Sequence, residues 1–301
     1  MSLKIAVTGL VLAGVLSGPI AAGPALSRHH SITMSGGEPG PVADCAGLHI
    51  HLNDRAVEMR SEERTIARAD GLLSVESELN GGLQVRGWDR DTYSVTACKA
   101  ADATSNDVEH IFSQIKLSVE NGRVSVSGPS EHDNWTVFLL VRAPKSANLE
   151  LRANNGPLSI YDLEGKLTAR AINGPISLEG FSGDADISAE NGPIDLTGNS
   201  GKLRLHTENG PISVSLSGDV WKGSGLEADA QNGPLTLRVP KNYQSSLLVE
   251  SNGNSPMSCQ ASFCTDARKT WDEDRRRIEF GNAPAVIHLS TVNGPIAVKQ
   301  I

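Results

Sequence analysis

The tripeptide Asn-Gly-Pro begins at Asn155, Asn173, Asn191 and Asn209 at a constant spacing of 18 residues, then recurs at Asn232 and Asn293. A unit of that length is too small to bury its own apolar face, so it must be covered by like units on either side. Just after each Asn, apolar residues alternate: Leu158 and Ile160, Ile176 and Leu178, Ile194 and Leu196, Ile212 and Val214, Leu235 and Leu237, Ile296 and Val298. Period two is the signature of a strand with one buried and one wet face. A second strand follows Gly165, Gly183 and Gly201, with Leu167 and Ala169, Ala185 and Ile187, and Leu203 and Leu205 pointing inward. The predicted fold is all-β, a parallel β-helix or β-solenoid with coils of about 18 residues, plus one short helix in the N-terminal half.

Stacked coils bring equivalent strands to about 4.8 Å from one another. The repeated corner then aligns, and its members are Asn155 and Gly156, Asn173 and Gly174, Asn191 and Gly192, Asn209 and Gly210, Asn232 and Gly233, and Asn293 and Gly294. Aligned Asn amides can hydrogen-bond along the stack, as they do in cross-β ladders. Gly is expected to supply backbone angles forbidden to other residues. Pro, which has no N–H, is tolerated at the start of a strand. The competing reading is that Asn and Gly line a ligand groove.

Two interruptions break the rhythm. The unit from Asn209 to Asn232 expands to 23 residues, with an insertion near 219–226, and a longer insertion spans 254–283. Both are expected to be loops, and Trp221 and Trp271 within them are candidate partner-binding residues, since insertions in solenoids often carry binding. The charged run Trp271, Asp272, Glu273, Asp274, Arg275, Arg276, Arg277 fits a solvated excursion or an end cap equally well.

Lys4 followed by the apolar stretch Ile5–Leu16 and small residues reads as a signal peptide over 1–22. The apolar stretch falls short of the roughly 20 residues of a membrane-spanning helix. No stable span is therefore expected after cleavage, and the mature chain is expected in the periplasm, on the cell surface or secreted. Residues 23–44 read as a flexible leader, 45–145 as a diverged β region of the same solenoid, and 146–301 as the regular part. Within the diverged region, Asn80-Gly81-Gly82-Leu83-Gln84-Val85 and Asn121-Gly122-Arg123-Val124-Ser125-Val126 echo the repeat. Val108, Ile111, Phe112 and Ile115 share one helical face, with Asn106 as the expected N-cap.

Four cysteines allow three pairings, which sequence alone does not decide. Pairs within each region, Cys45 with Cys98 and Cys259 with Cys264, suit an oxidising compartment. Their spacing does not fit paired zinc ligands. A net charge of −8 argues against nucleic acid, and 4% aromatics beside 30 Gly suits thin, turn-rich β structure. No catalytic, cofactor or metal constellation is expected. Asp162, Glu179, Asp184, Asp186 and Asp195 fall on different faces of different units, no Asp recurs in register for calcium, and His49 with His51, or His29 with His30, lack a third ligand.

With these residues in view, the chain resembles the bacterial putative-adhesin family of domains of unknown function. The resemblance lies in Asn80-Gly81-Gly82-Leu83-Gln84-Val85-Arg86-Gly87-Trp88-Asp89-Arg90, in Ser127-Gly128-Pro129, in the Asn-Gly-Pro coils, and in the stretch from Leu289 to Ile296. It implies a β-solenoid, a surface or periplasmic location and an adhesive role without enzymatic residues. The expected function is a noncatalytic envelope scaffold presenting a face or loops to a macromolecule such as a glycan or an envelope or matrix protein. The alternatives are a carbohydrate-active β-helix enzyme and a structural or regulatory envelope component.

Overall fold

The structure, a computed structural model, describes residues 30–34, 40–52, 56–68, 71–77, 79–104, 107–130, 134–252, 255–272, 275–281 and 284–301. The expected signal peptide, His29, Asn106, Glu273 and Asp274 lie outside the described residues. The chain begins with β1 (His30–Met34), paired antiparallel with β2 (Leu48–Leu52), so part of the expected leader is a strand. Next come β3 (Val57–Ala67), β4 (Leu72–Glu76), β5 (Leu83–Trp88) and β6 (Thr92–Asp102). Helix α1 (Val108–Gln114) leads into β7 (Lys116–Glu120), β8 (Arg123–Ser127) and β9 (Trp135–Pro144).

From here the chain alternates between two sheets. The first coils are β10 (Asn148–Ala153) with β11 (Leu158–Tyr161), β12 (Lys166–Ala171) with β13 (Ile176–Glu179), and β14 (Asp184–Asn191) with β15 (Ile194–Gly198). They are followed by β16 (Ser200–Asn209) with β17 (Ile212–Leu216) and β18 (Lys222–Asn232) with β19 (Leu235–Val239). The last stretch forms β20 (Leu247–Asn252), β21 (Met257–Cys259), β22 (Arg268–Trp271), β23 (Arg275–Phe280), β24 (Ile287–Asn293) and β25 (Ile296–Gln300). One sheet has 12 strands in the order β22-β23-β20-β24-β18-β16-β14-β12-β10-β4-β8-β7. The other has 11, in the order β21-β25-β19-β17-β15-β13-β11-β5-β9-β6-β3.

The repeat sets the register. Leu158 lies beside Ile176, Ile176 beside Ile194 and Ile194 beside Ile212, all in parallel pairing. Their side chains, with Leu151, Ala169, Ile187 and Leu205 from the opposite sheet, are buried in the space between the sheets. Each Pro carbonyl takes a bond from the coil before it, as Ile176 N donates to Pro193 O at 2.9 Å and Ile194 N to Pro211 O at 2.9 Å. The missing proline N–H therefore leaves no gap in this line of bonds. In the N-terminal half, Ile111, Phe112 and Ile115 pack into the same core, as the helical pattern predicts. The helix starts at Val108 with Asp107 in the cap position.

Three details differ from expectation. The corner glycines stay outside the left-handed region. They are required instead by close stacking: a Cβ on Gly192 would lie 2.8 Å from the carbonyl carbon of Gly174, and closer still to its oxygen. Asn121 and Gly122 do not form a coil corner. With φ of 50° and 74° they make the tight turn of the β7–β8 hairpin, the left-handed pair that Asn-Gly supplies most readily. The stack also departs from chain order. The coil of β24 and β25 lies between β18–β19 and β20–β21, and the coil of β4 and β5 lies between β8–β9 and β10–β11.

Candidate partner-binding surfaces

The expected insertion around Trp221 is not a bulging loop. Its extra residues are taken up in the corner before β18 and in a β-bulge, where the register shifts between the pairs Ser200–Lys222 and Lys202–Gly225. Trp221 is only 7% exposed and its Nε1 donates to Gly201 O at 3.1 Å, so its indole seals the core and is not available to a partner. The 254–283 insertion is largely built into the sheets. β21 pairs with β25, and β23 pairs with β20 and carries β22 as the sheet edge. Trp271 sits on that edge and is 54% exposed, beside Arg268 and Lys269. The edge strand is short and cationic, a composition that discourages pairing with other chains.

The Asn corners form one exposed line. Asn173 Nδ2 donates to Asn155 Oδ1 at 2.9 Å, Asn191 to Asn173 at 3.1 Å, Asn209 to Asn191 at 3.1 Å, Asn232 to Asn209 at 3.2 Å and Asn293 to Asn232 at 2.9 Å. Asn80 joins it by accepting from Asn155 at 3.2 Å, although its coil is far away in sequence.

The carboxylates of the repeats do not converge. Asp184 and Asp186 point outward from the 12-stranded sheet, Glu179 and Asp195 belong to the other sheet, and Asp162 occupies a corner. An open groove of about 830 Å³ runs across the 12-stranded sheet and is lined by Lys166, Asp184, Lys202, Asp186, Arg204 and Glu227. Charges of opposite sign alternate across its strands, with Arg204 Nε 3.2 Å from Glu227 Oε2. Further along the same face, His206 pairs with Asp229 at 3.0 Å and His288 with Glu250 at 2.8 Å.

A surface more enclosed than this groove lies at the other end, where sequence reasoning placed no site. A strap over Gly40–Gly47 crosses the outer face of the 11-stranded sheet. It is pinned by the Cys45–Cys98 disulfide and by Gln84, which accepts from Val42 N at 2.8 Å and donates to Val42 O at 2.8 Å. Leu48, Ile50, Phe138 and Leu140 form a small second core beneath it. On either side of the strap is a cleft, one of about 610 Å³ and the other of about 520 Å³, and Ala43, Trp88, Leu140 and Arg142 line both.

Trp88 ends β5 and its Nε1 donates to Thr92 O at 2.8 Å, which fixes the ring across the Trp88–Thr92 turn, while the Arg90 guanidinium lies 4.9 Å from the ring centroid. Arg86 and Arg142 are direct neighbours on β5 and β9, a like-charge pairing that costs the sheet stability. Arg86 lies 3.5 Å from Asp162, whereas Arg142 donates to Ala43 O at 3.1 Å. Lys145 lies 2.8 Å from Asp89, which, with Glu164 and Asp162 nearby, holds its ammonium above the ordinary lysine range. Asp162 itself has φ 55°, a left-handed backbone that a non-glycine residue adopts at some cost. The site draws on β5, β9 and the strap, which are distant in sequence. The one local signal for it was the Gly87-Trp88-Asp89-Arg90 turn.

Residues 51–299 match the family model described as Toastrack DUF4097. The chain belongs to that family. The family is the one that the Asn-Gly coils and the Trp88 turn resemble, a domain of unknown function. Solved structures similar to this Toastrack chain include one described as a putative adhesin from Bacteroides fragilis, with 10% identity and a TM-score of 0.39, covering 81% of this chain and 97% of that one. A second, described as a putative cell adhesion protein from Clostridium sporogenes, has 12% identity and a TM-score of 0.33 and covers 81% and 100%. A third, described as a putative lipid binding protein from Parabacteroides distasonis, has 12% identity and a TM-score of 0.31 and covers 81% and 96%. No curated protein matches the chain. Among the described residues, no helix is long and apolar enough to cross a membrane.

Proposed function

We propose that this Toastrack chain is a noncatalytic, exported envelope protein whose stiff solenoid presents the clefts around Trp88 to a macromolecular partner. The observation that carries this reading is the strap. A covalent bond and a doubly hydrogen-bonded glutamine hold Gly40–Gly47 against the sheet, so the two clefts that share Trp88 and Arg142 are formed before any partner arrives. A preformed site avoids the ordering cost that binding otherwise carries. Trp and Arg are the residue types that most often dominate binding energy when they sit in clefts. Two disulfides support an oxidising compartment, and hence export. Along the rest of the 11-stranded sheet, the outward residues Ser159, Ser177, Asp195, Ser213, Thr236 and Ala297 are small, which suits an even scaffold surface.

The test is binding of the purified chain to immobilised glycans and to envelope and matrix proteins, with Trp88→Ala, Arg142→Ala and Trp271→Ala variants in parallel. Binding lost in the Trp88 and Arg142 variants and kept in the Trp271 variant, at unchanged circular dichroism, is the expected result. Binding that survives both cleft substitutions, or no binding to any member of the panel, would refute it.

A further inference from the structure

We propose that the coil of β24 and β25 is exchangeable, and that the slot it fills between β18–β19 and β20–β21 accepts the same coil from a second copy of the chain. The topology motivates this. In the chain β20 and β21 precede β24 and β25, yet in the stack they lie one strand beyond them, so the place between β18–β19 and β20–β21 is filled by the later segment Ile287–Gln300. Without that segment, β18, β19, β20 and β21 would face the place with unpaired backbone groups, the edge condition that most readily recruits another strand. Nothing in this geometry requires the filling coil to come from the same molecule.

The slot is selective. Ile287 fits between Leu226 and Leu247, Leu289 between Ala228 and Val249, and Ile296 between Leu235 and Met257. At the corner, Asn293 Nδ2 donates to Asn232 Oδ1 at 2.9 Å and Thr291 Oγ1 to Gly233 O at 3.2 Å. A Cβ on Gly294 would lie 2.5 Å from the Gly233 carbonyl carbon, so only glycine is admitted there. The occupant must therefore be a strand, an Asn-Gly-Pro corner and a second strand in this register. A second copy supplies that pattern residue for residue.

The cover of the slot is also built to open. Every buried side-chain polar atom without a hydrogen-bond partner among the described residues lies in it or beside it: Tyr243 Oη, Ser251 Oγ and Arg277 Nε. Ser251 is the direct neighbour of Thr291 on the inserted strand, and Arg277 lies on β23, which backs β20. Each of these groups recovers its hydration when the cover lifts, so opening is less costly here than in the fully satisfied coils before it. Gly281, with φ +87°, lies between β23 and β24, where the chain must re-aim for the coil to leave.

Two full-length variants test the exchange. Thr236 and Ala297 are register neighbours on β19 and β25, at a strand spacing of about 4.8 Å that a disulfide can span. Thr236→Cys and Ala297→Cys chains are mixed at high concentration in denaturant below the global transition and then oxidised, with each variant alone and the double variant as references. The expected result is a shift from monomer to a covalent heterodimer that neither single variant gives, while the double variant at low concentration closes within one chain. A double variant that closes beside a mixture giving no heterodimer above the single-variant background would overturn the exchange. A double variant that fails to close would overturn the register on which the exchange rests.

Discussion

The glycine corners stack backbone on backbone with no room for a Cβ, and Gly192→Ala measures what that stacking is worth. The new Cβ would lie 2.8 Å from the Gly174 carbonyl carbon, against about 3.5–4.0 Å for an ordinary carbon–carbon contact. The two coils must separate locally by roughly 0.7–1.2 Å. That takes the Ile176 N to Pro193 O bond, now 2.9 Å, and the Asn191 to Asn173 amide bond, now 3.1 Å, past hydrogen-bonding distance. Two lost bonds at about 1 kcal/mol each, with about 1–3 kcal/mol of overpacking, give an expected loss of about 3–5 kcal/mol. Because Gly192 is outside the left-handed region, none of this loss is a backbone-angle penalty. Asn191→Ala is the comparison. It removes the exposed amide bonds to Asn173 and from Asn209, whose groups return to water, and should cost about 1 kcal/mol or less. Urea titration followed by circular dichroism reads both. A Gly192→Ala variant within about 0.5 kcal/mol of the parent, the range of neutral surface changes, would refute the stacking argument, as would an Asn191→Ala variant that proves the more costly of the two.

Other expectations rest on single groups. Trp221→Ala should cost about 3–5 kcal/mol in the same titration, as the loss of a buried aromatic does, and leave partner binding intact. Replacing Cys45 and Cys98 by Ala should cost up to about 4 kcal/mol through the long loop the bond closes, and should expose the 40–47 strap to limited proteolysis. Lys99 Nζ lies 2.7 Å from Glu62 Oε2 and 2.8 Å from Ile115 O, and the bond to Lys99 holds the Glu62 carboxyl below its ordinary range. A folded-state value below the unfolded one stabilises the fold above about pH 4.3. That stability is lost as pH falls from there through the folded value, so Glu62→Gln should flatten the acid limb of a stability–pH curve.

The regular coils were legible because one spacing carries everything: Leu158, Ile176, Ile194 and Ile212 recur at the same phase and become neighbours. The Asn80 echo was equally readable, since it places Leu83 and Val85 at that phase and they pair with Leu158 and Ile160. Asn121-Gly122 misled because Asn-Gly also suits a tight hairpin, and a dipeptide does not say which neighbour its strands will have. Trp221 was misplaced because an interruption of the period looks like a loop, whereas a corner and a bulge can absorb extra residues and turn one side chain into the core. The Trp88 clefts were not legible as a site. They need a strap, a disulfide and two strands whose adjacency is long-range, and only the Trp88 turn hinted at them.

Paired cysteines at Thr236, Ala297 and Ser258 test the coil order directly. These three residues occupy equivalent outward positions on β19, β25 and β21, with Ala297 in register with both of the others. Ready disulfide closure is expected for the pair at 236 and 297 and for the pair at 297 and 258. None is expected for the pair at 236 and 258, which lie two strand spacings or roughly 9.6 Å apart, beyond the reach of a disulfide. Closure of that third pair would mean that the coils stack in chain order, with β21 beside β19, and would contradict the arrangement in which β25 separates them.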